Sequence, residues 1–183
     1  MLVTNLPSTT WWAFPEDQVA GKEAFLGQWK DPVESWIRAY AFTQRELANA
    51  LLQAASEKTP QHIAADRSQT VENKEQLTLL KECAEHPFID VTILTSTEGT
   101  DYIAHSKTTV GSDGRYWMGS WNFSESASRQ VNHAIQGASA PIRDAVIAQF
   151  QTDVKWAWLH EKGFQITGTP PPGVTLGEVE GKA

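Results

Sequence analysis

The chain predicts an α/β fold: a mixed β-sheet sandwiched between helices on both faces. Three observations carry this. Short apolar runs bounded by turn residues alternate with longer stretches whose apolar residues recur at helical spacing. The chain has 183 residues, 40% of them hydrophobic and 20% charged, enough for one domain with its own core. No internal repeat divides it, so the alternating elements belong to one layered unit. The expected division is a single domain over residues 1–168 and a flexible tail over 169–183, where Thr169-Pro170-Pro171-Pro172-Gly173 opens a stretch without a core pattern.

Each element has its own signal. Residues 1–10 read as extended or loose. Trp11-Trp12-Ala13-Phe14 reads as a strand stopped by Pro15. Residues 17–30 suit a helix with Val19, Phe25 (or Ala24), Leu26 and Trp29 near one face, broken by Asp31-Pro32. Residues 35–42 are a buried strand, aromatic and partly β-branched. Thr43-Gln44-Arg45-Glu46 reads as a capping box, and the helix behind it carries Leu47, Leu51, Ala54 and Ala55. Residues 61–65 form the next strand, with Asp66-Arg67-Ser68-Gln69 as the loop at its end, where open α/β sheets place ligands. A helix over 73–85 has Leu77, Leu80 and Ala84 facing inward, a strand follows over 88–94, and a polar loop runs over 95–100.

The second half is denser. Residues 102–105 and 107–110 form one strand or two joined by a bend. Ser112-Asp113-Gly114-Arg115 is a turn, with Asp-Gly the usual hairpin signal, and residues 116–118 return. A short helix over 124–128 and a strand over 132–135 follow. Ile142, Val146, Phe150, Val154 and Trp158 then make an apolar stripe at i+4 steps on a last helix, stopped by Gly163.

Charge and composition exclude several function classes. The net charge of −7 argues against a general electrostatic clamp on DNA and leaves room only for a local basic groove. A single cysteine, Cys83, rules out an intrachain disulfide. No run approaches a membrane span, and the first residues lack the charged and apolar regions of a signal peptide, so a cytoplasmic protein is expected. No Asp/Glu/His cluster has metal-ligand spacing; neither metal nor cofactor is expected.

Chemistry concentrates in His105-Ser106-Lys107 and, eleven residues on, Gly119-Ser120-Trp121-Asn122-Phe123-Ser124. A His and a Lys two apart in a strand share a face. A strand ending in Gly-Ser and opening towards a helix presents hydroxyl, amide and backbone N–H groups together, which suits a phosphate. One imidazole, one cation and two neutral donors thus converge on one anion. His62, His86 and His160 lack such company and read as structural; Arg38, Arg45, Arg67, Lys74 and Arg129 are candidate substrate contacts only by their loop or helix-end positions, and most read as solvated charges.

The stretch resembles the phospholipase D superfamily signature H-x-K-x4-D-x6-G-S-x-N, and within that superfamily the small single-motif nucleases. His105, Lys107, Gly119, Ser120 and Asn122 match. Ala39 to Thr43 ahead of a helix, and Ala64-Ala65-Asp66-Arg67-Ser68, also look like that branch. The resemblance implies a phosphodiesterase that passes through a phosphohistidine on His105. Lys107 and Asn122 would hold the phosphate oxygens, and Gly119 and Ser120 would shape the phosphate loop. It also implies a homodimer pairing two single motifs, with nucleic acid or another phosphodiester as substrate. Two positions depart. Ser112 stands where the motif has Asp, with Asp113 one place late, and His133 (or Asn132) stands where the family places a Glu that orients the histidine. Ser112, Asp113 and His133 are therefore the candidate supporting residues. The alternatives are a catalytically impaired phosphate- or nucleic-acid-binding module and a lipid phosphodiesterase.

Overall fold

A computed structural model describes residues 9–94, 103–159 and 164–165. Its elements are β1 (Thr10–Phe14), α1 (Gln18–Leu26), β2 (Ser35–Ala39), α2 (Arg45–Ala54), β3 (Gln61–Asp66), α3 (Arg67–Glu72), α4 (Lys74–Ala84), β4 (Ile89–Leu94), β5 (Lys107–Gly111), β6 (Arg115–Gly119), β7 (Asn132–Ala138), α5 (Ala140–Leu159) and β8 (Phe164–Gln165). The expected loop over 95–100, the stop at Gly163 and the tail over 169–183 lie outside the described residues.

The eight strands form one sheet in the order β1-β7-β6-β5-β2-β3-β4-β8. β2, β3 and β4 are parallel; every other pairing is antiparallel. The sheet is therefore mixed, as expected, and changes character where β5 meets β2.

Alternation along the strands builds two cores. Ile37, Ile63, Ala65, Val91, Ile93, Trp117 and Ala134 face one layer with Phe25, Leu47, Leu51, Leu79, Leu80 and Cys83. Ala64 and Leu94 face the other, against Phe150, Val154 and Ala157 of α5. Parallel strands buried on both faces require such cover. Among the described residues no helix is long and apolar enough to cross a membrane.

Four local expectations are corrected. The helix after β2 begins at Arg45 with Gln44 at its N-cap, because the amides of Thr43 and Gln44 both donate to Phe123 O and hold the chain extended. Glu46 turns away to bond Lys22 at 2.8 Å, so no capping box forms. Residues 67–69, read as loop, open helix α3: the Asp66 carboxylate accepts from Gln69 N at 3.0 Å and caps it. Val19 is 70% exposed, and the inner face of α1 is Gly21 and Phe25. On α4 the buried row is Gln76, Leu79, Leu80 and Cys83, one step round from the expected face.

Candidate active site

One end of the sheet gathers the C-terminal ends of β2, β3 and β6 and the N-terminal ends of β5 and β7. It therefore collects Tyr40, Asp66, the segment before Lys107, the Gly119–Asn122 loop and His133. The opposite end carries Glu34, His62, Asp90 and the β5–β6 turn.

His105 and Lys107 are brought together, but not as neighbours on a strand. Residues 103–106 have no regular structure, and β5 begins at Lys107. Asp66 holds this segment: its Oδ2 accepts from Ala104 N at 2.6 Å while Oδ1 takes Ser68 Oγ at 2.5 Å and Gln69 N at 3.0 Å. Tyr40 N donates to Ser106 O at 2.7 Å. His105 is exposed, and its ring meets Tyr40 edge-on at 4.5 Å. Neither of its ring nitrogens bonds to a described residue.

Lys107 is only 4% exposed. Its ammonium donates to His105 O at 3.0 Å and stands over the Tyr40 ring at 4.6 Å, a cation–π contact. Burial pushes its pKa down to about 8, with Asp66 pulling the other way. The His105 pKa is also lowered: lost hydration around the ring is the larger cause even though the residue as a whole is exposed, the Lys107 charge adds to it, and Asp66 opposes both. A neutral imidazole beside a cation suits attack on an anion.

The Gly119–Phe123 loop is fixed from below. A Cβ on Gly119 would lie 2.3 Å from His133 O and 2.8 Å from Ala134 Cα, so only glycine lets β6 and β7 close there. Trp121 and Phe123 are fully buried and pack with Phe25 and with each other. Between these two anchors Asn122 is partly exposed, and its buried Oδ1 has no partner among the described residues. The donor that a phosphate oxygen could use is the amide nitrogen at the other corner of the carboxamide. The expected helix after this loop is a single 3-10 turn, Ala127–Arg129.

Ser120 and His133 form a unit. Ser120 Oγ accepts from His133 N at 3.0 Å and lies 3.2 Å from His133 Nδ1, and Ser120 N donates to His133 O at 3.0 Å. Ser120 thus fixes the loop against β7. Asn132, the other candidate for the Glu position, spends its amide on Ala127 O at 2.9 Å.

Ser112 and Asp113 do not join the site. They form the turn between β5 and β6, and β5 runs its full five residues between them and His105. At roughly 3.3 Å per residue that is about 13 Å or more. Asp113 instead binds Arg115, at 2.8 Å through Nε, and Ser112 O accepts from Arg143 at 2.9 Å. The expectation that either supports the His105 ring is corrected: among the described residues, the carboxylate that holds the His105 segment is Asp66. The sequence did carry a signal for it, since Asp66 and Gln69 have the spacing of a helix-capping residue and its partner. Tyr40 had no such signal, because its role depends on a bend after β2.

A mixed sheet with this strand order, covered on both faces and carrying a His–Lys segment and a Gly-Ser-x-Asn loop at one end, is the phospholipase D-like fold. The resemblance read from the sequence is borne out at that level. The chain is similar to NucT from Helicobacter pylori, with a TM-score of 0.71 and 20% identity over 80% of this chain and 94% of that one. It is also similar to Nuc from Salmonella typhimurium, a phospholipase D family member, with a TM-score of 0.73 and 16% identity over 89% of this chain and 100% of that one. The phosphatidylserine synthase of Haemophilus influenzae shares the fold at a TM-score of 0.60 and 12% identity, covering 90% of this chain and 41% of its own. No protein-family model matches the sequence, and no curated protein matches it.

Proposed function

We propose that the chain is a phosphodiesterase, nuclease-like in its substrate, that works through a phosphohistidine on His105. The observation that carries this reading is the convergence of a ring whose nitrogens bond to no described residue, a buried ammonium and the partly exposed Asn122 carboxamide at one end of the sheet. Neutral His105 attacks phosphorus; a nitrogen–phosphorus bond forms and the bond to the leaving oxygen breaks, with a proton delivered to that oxygen. Water then attacks the phosphohistidine and returns the ring to its free state. Lys107 and Asn122 hold the non-bridging oxygens where charge accumulates, while Gly119 and Ser120 keep the loop in place.

Among the described residues no three His, Cys, Asp or Glu side chains are grouped to hold a metal ion. Charge neutralisation therefore rests on Lys107 and the neutral donors in this reading. With one motif per chain, a two-fold homodimer would face two copies of His105 across one phosphate and supply the proton donor from the second copy. His133 is the donor in a single-chain version.

A second reading has one observation of its own. No carboxylate touches the His105 ring among the described residues, and His133 replaces the expected Glu, which fits a module that binds phosphate without turning it over. One experiment separates them. The protein is incubated with bis(4-nitrophenyl) phosphate in excess chelator, and protein quenched during turnover of a labelled diester is mapped. Chelator-resistant release with label on His105 is expected. Binding with neither release nor label would establish the module.

A further inference from the structure

This inference rests on the phosphodiesterase reading and concerns how its substrate is gripped. α5 packs on β2, β4, β5 and β6, and the β7–β1 corner lies at the far edge of the sheet. In this corner Trp11, on edge strand β1, is 61% exposed, while its neighbour Trp12 turns to the other face and packs against the core. The Trp11 ring lies parallel to the His133 ring, with centroids 5.0 Å apart and planes within 2°. His133 is itself anchored by Ser120 in the Gly-Ser-x-Asn loop. A large flat ring, mostly exposed, is therefore seated against a side chain that is fixed to the loop that carries Asn122. With strands about 4.8 Å apart, β7 lies about 10 Å and β1 about 14 Å from β5, the range of nucleotides adjoining a phosphate on His105.

The charge of the chain makes such a ring useful. With a net charge of −7, affinity for a polyanion cannot rest on a broad basic surface. Stacking on an aromatic ring adds affinity without charge, and every base offers a face for it. A base inside a duplex has its faces covered by its neighbours; an unpaired one does not. We propose that Trp11, backed by His133, is a stacking platform for an unpaired nucleobase next to the scissile phosphate, and that it favours single-stranded nucleic acid.

The test is binding of a labelled oligothymidylate and of an abasic oligonucleotide of the same length, by fluorescence anisotropy at fixed salt, in a His105→Ala background. Trp11→Ala is expected to weaken binding of the base-bearing strand about tenfold and to leave the abasic strand bound as before. Trp11→Phe is expected to keep most of the affinity, which separates loss of the ring from damage to the fold. Equal weakening of both strands, or of neither, would overturn the platform. So would conversion of a dimer to a monomer by Trp11→Ala with the same loss for both strands, which would make the ring a subunit contact. Failure of the unaltered protein to bind either oligonucleotide would also overturn it, and hydrolysis of bis(4-nitrophenyl) phosphate would then show whether the parent reading survives.

Discussion

His62 and His105 occupy opposite ends of one sheet, and their surroundings differ at every point. His62 is clamped between Glu34 at 3.1 Å and Asp90 at 3.2 Å and stacks on Trp36 at 5.4 Å. Burial pulls its pKa down, but the bonds to Asp90 and Glu34 outweigh that and raise it. Among the described residues His105 has no carboxylate partner; its ring is exposed, an ammonium stands beside it, and its pKa is lowered. One ring is therefore charged and tied down at a pH where the other is neutral and free. The residue type permits either role; the neighbours select one.

The strongest way to break this comparison is to remove each ring in turn. His105→Ala is expected to lower turnover of a chromogenic diester by several orders of magnitude, since both displacements need the nucleophile. His62→Ala should keep most of the activity per folded molecule. Comparable losses in the two variants would erase the distinction.

A finer test is the pH profile of kcat/KM. The rate should rise as His105 loses its proton, with a midpoint below its ordinary value of 6.5, and fall as Lys107 loses its own near pH 8. Asp66 raises the His105 pKa, so Asp66→Asn should move the acid limb further down. An acid limb above 6.5, or one indifferent to Asp66, would contradict the environment described for His105.

The smallest effect concerns stability. The folded pKa of His62 lies above its unfolded value, so the stability its charge supplies is complete below about 6.5 and is lost as pH rises through the folded pKa. Glu34 and Asp90 are 38% and 40% exposed, and screening keeps the contribution near about 1 kcal/mol. His62→Phe, which keeps a ring on Trp36, should therefore cost more in urea unfolding at pH 5.5 than at pH 8.5. A penalty independent of pH would show that the clamp is mere packing.

The order of elements was legible because it rests on local signals. Asp113-Gly114 announced the β5–β6 hairpin, the Ile142–Val154 spacing announced α5, and Pro15 ended β1. The His105–Lys107 and Gly119–Asn122 pairing was legible as a motif. What escaped was set by partners distant in sequence. Phe123 O claims two amides ahead of α2 and moves its start to Arg45. The Ser112 position looked like a defect beside the histidine, whereas a full strand of β5 separates them. The exposure of Trp11 had no local signal, since its neighbour Trp12 packs against the core.

Asp66 has a consequence for motion. The same carboxylate ends β3, caps α3 and pins Ala104, the residue before His105. Fraying of the first turn of α3 should therefore accompany release of the backbone just before His105. Amide hydrogen exchange is expected to show Gln69 and Ala104 opening together, with a shared response to denaturant. The backbone that carries His105 is thus tied to the start of a helix earlier in the chain, and a loosening of that helix would reach it without passing through the sheet.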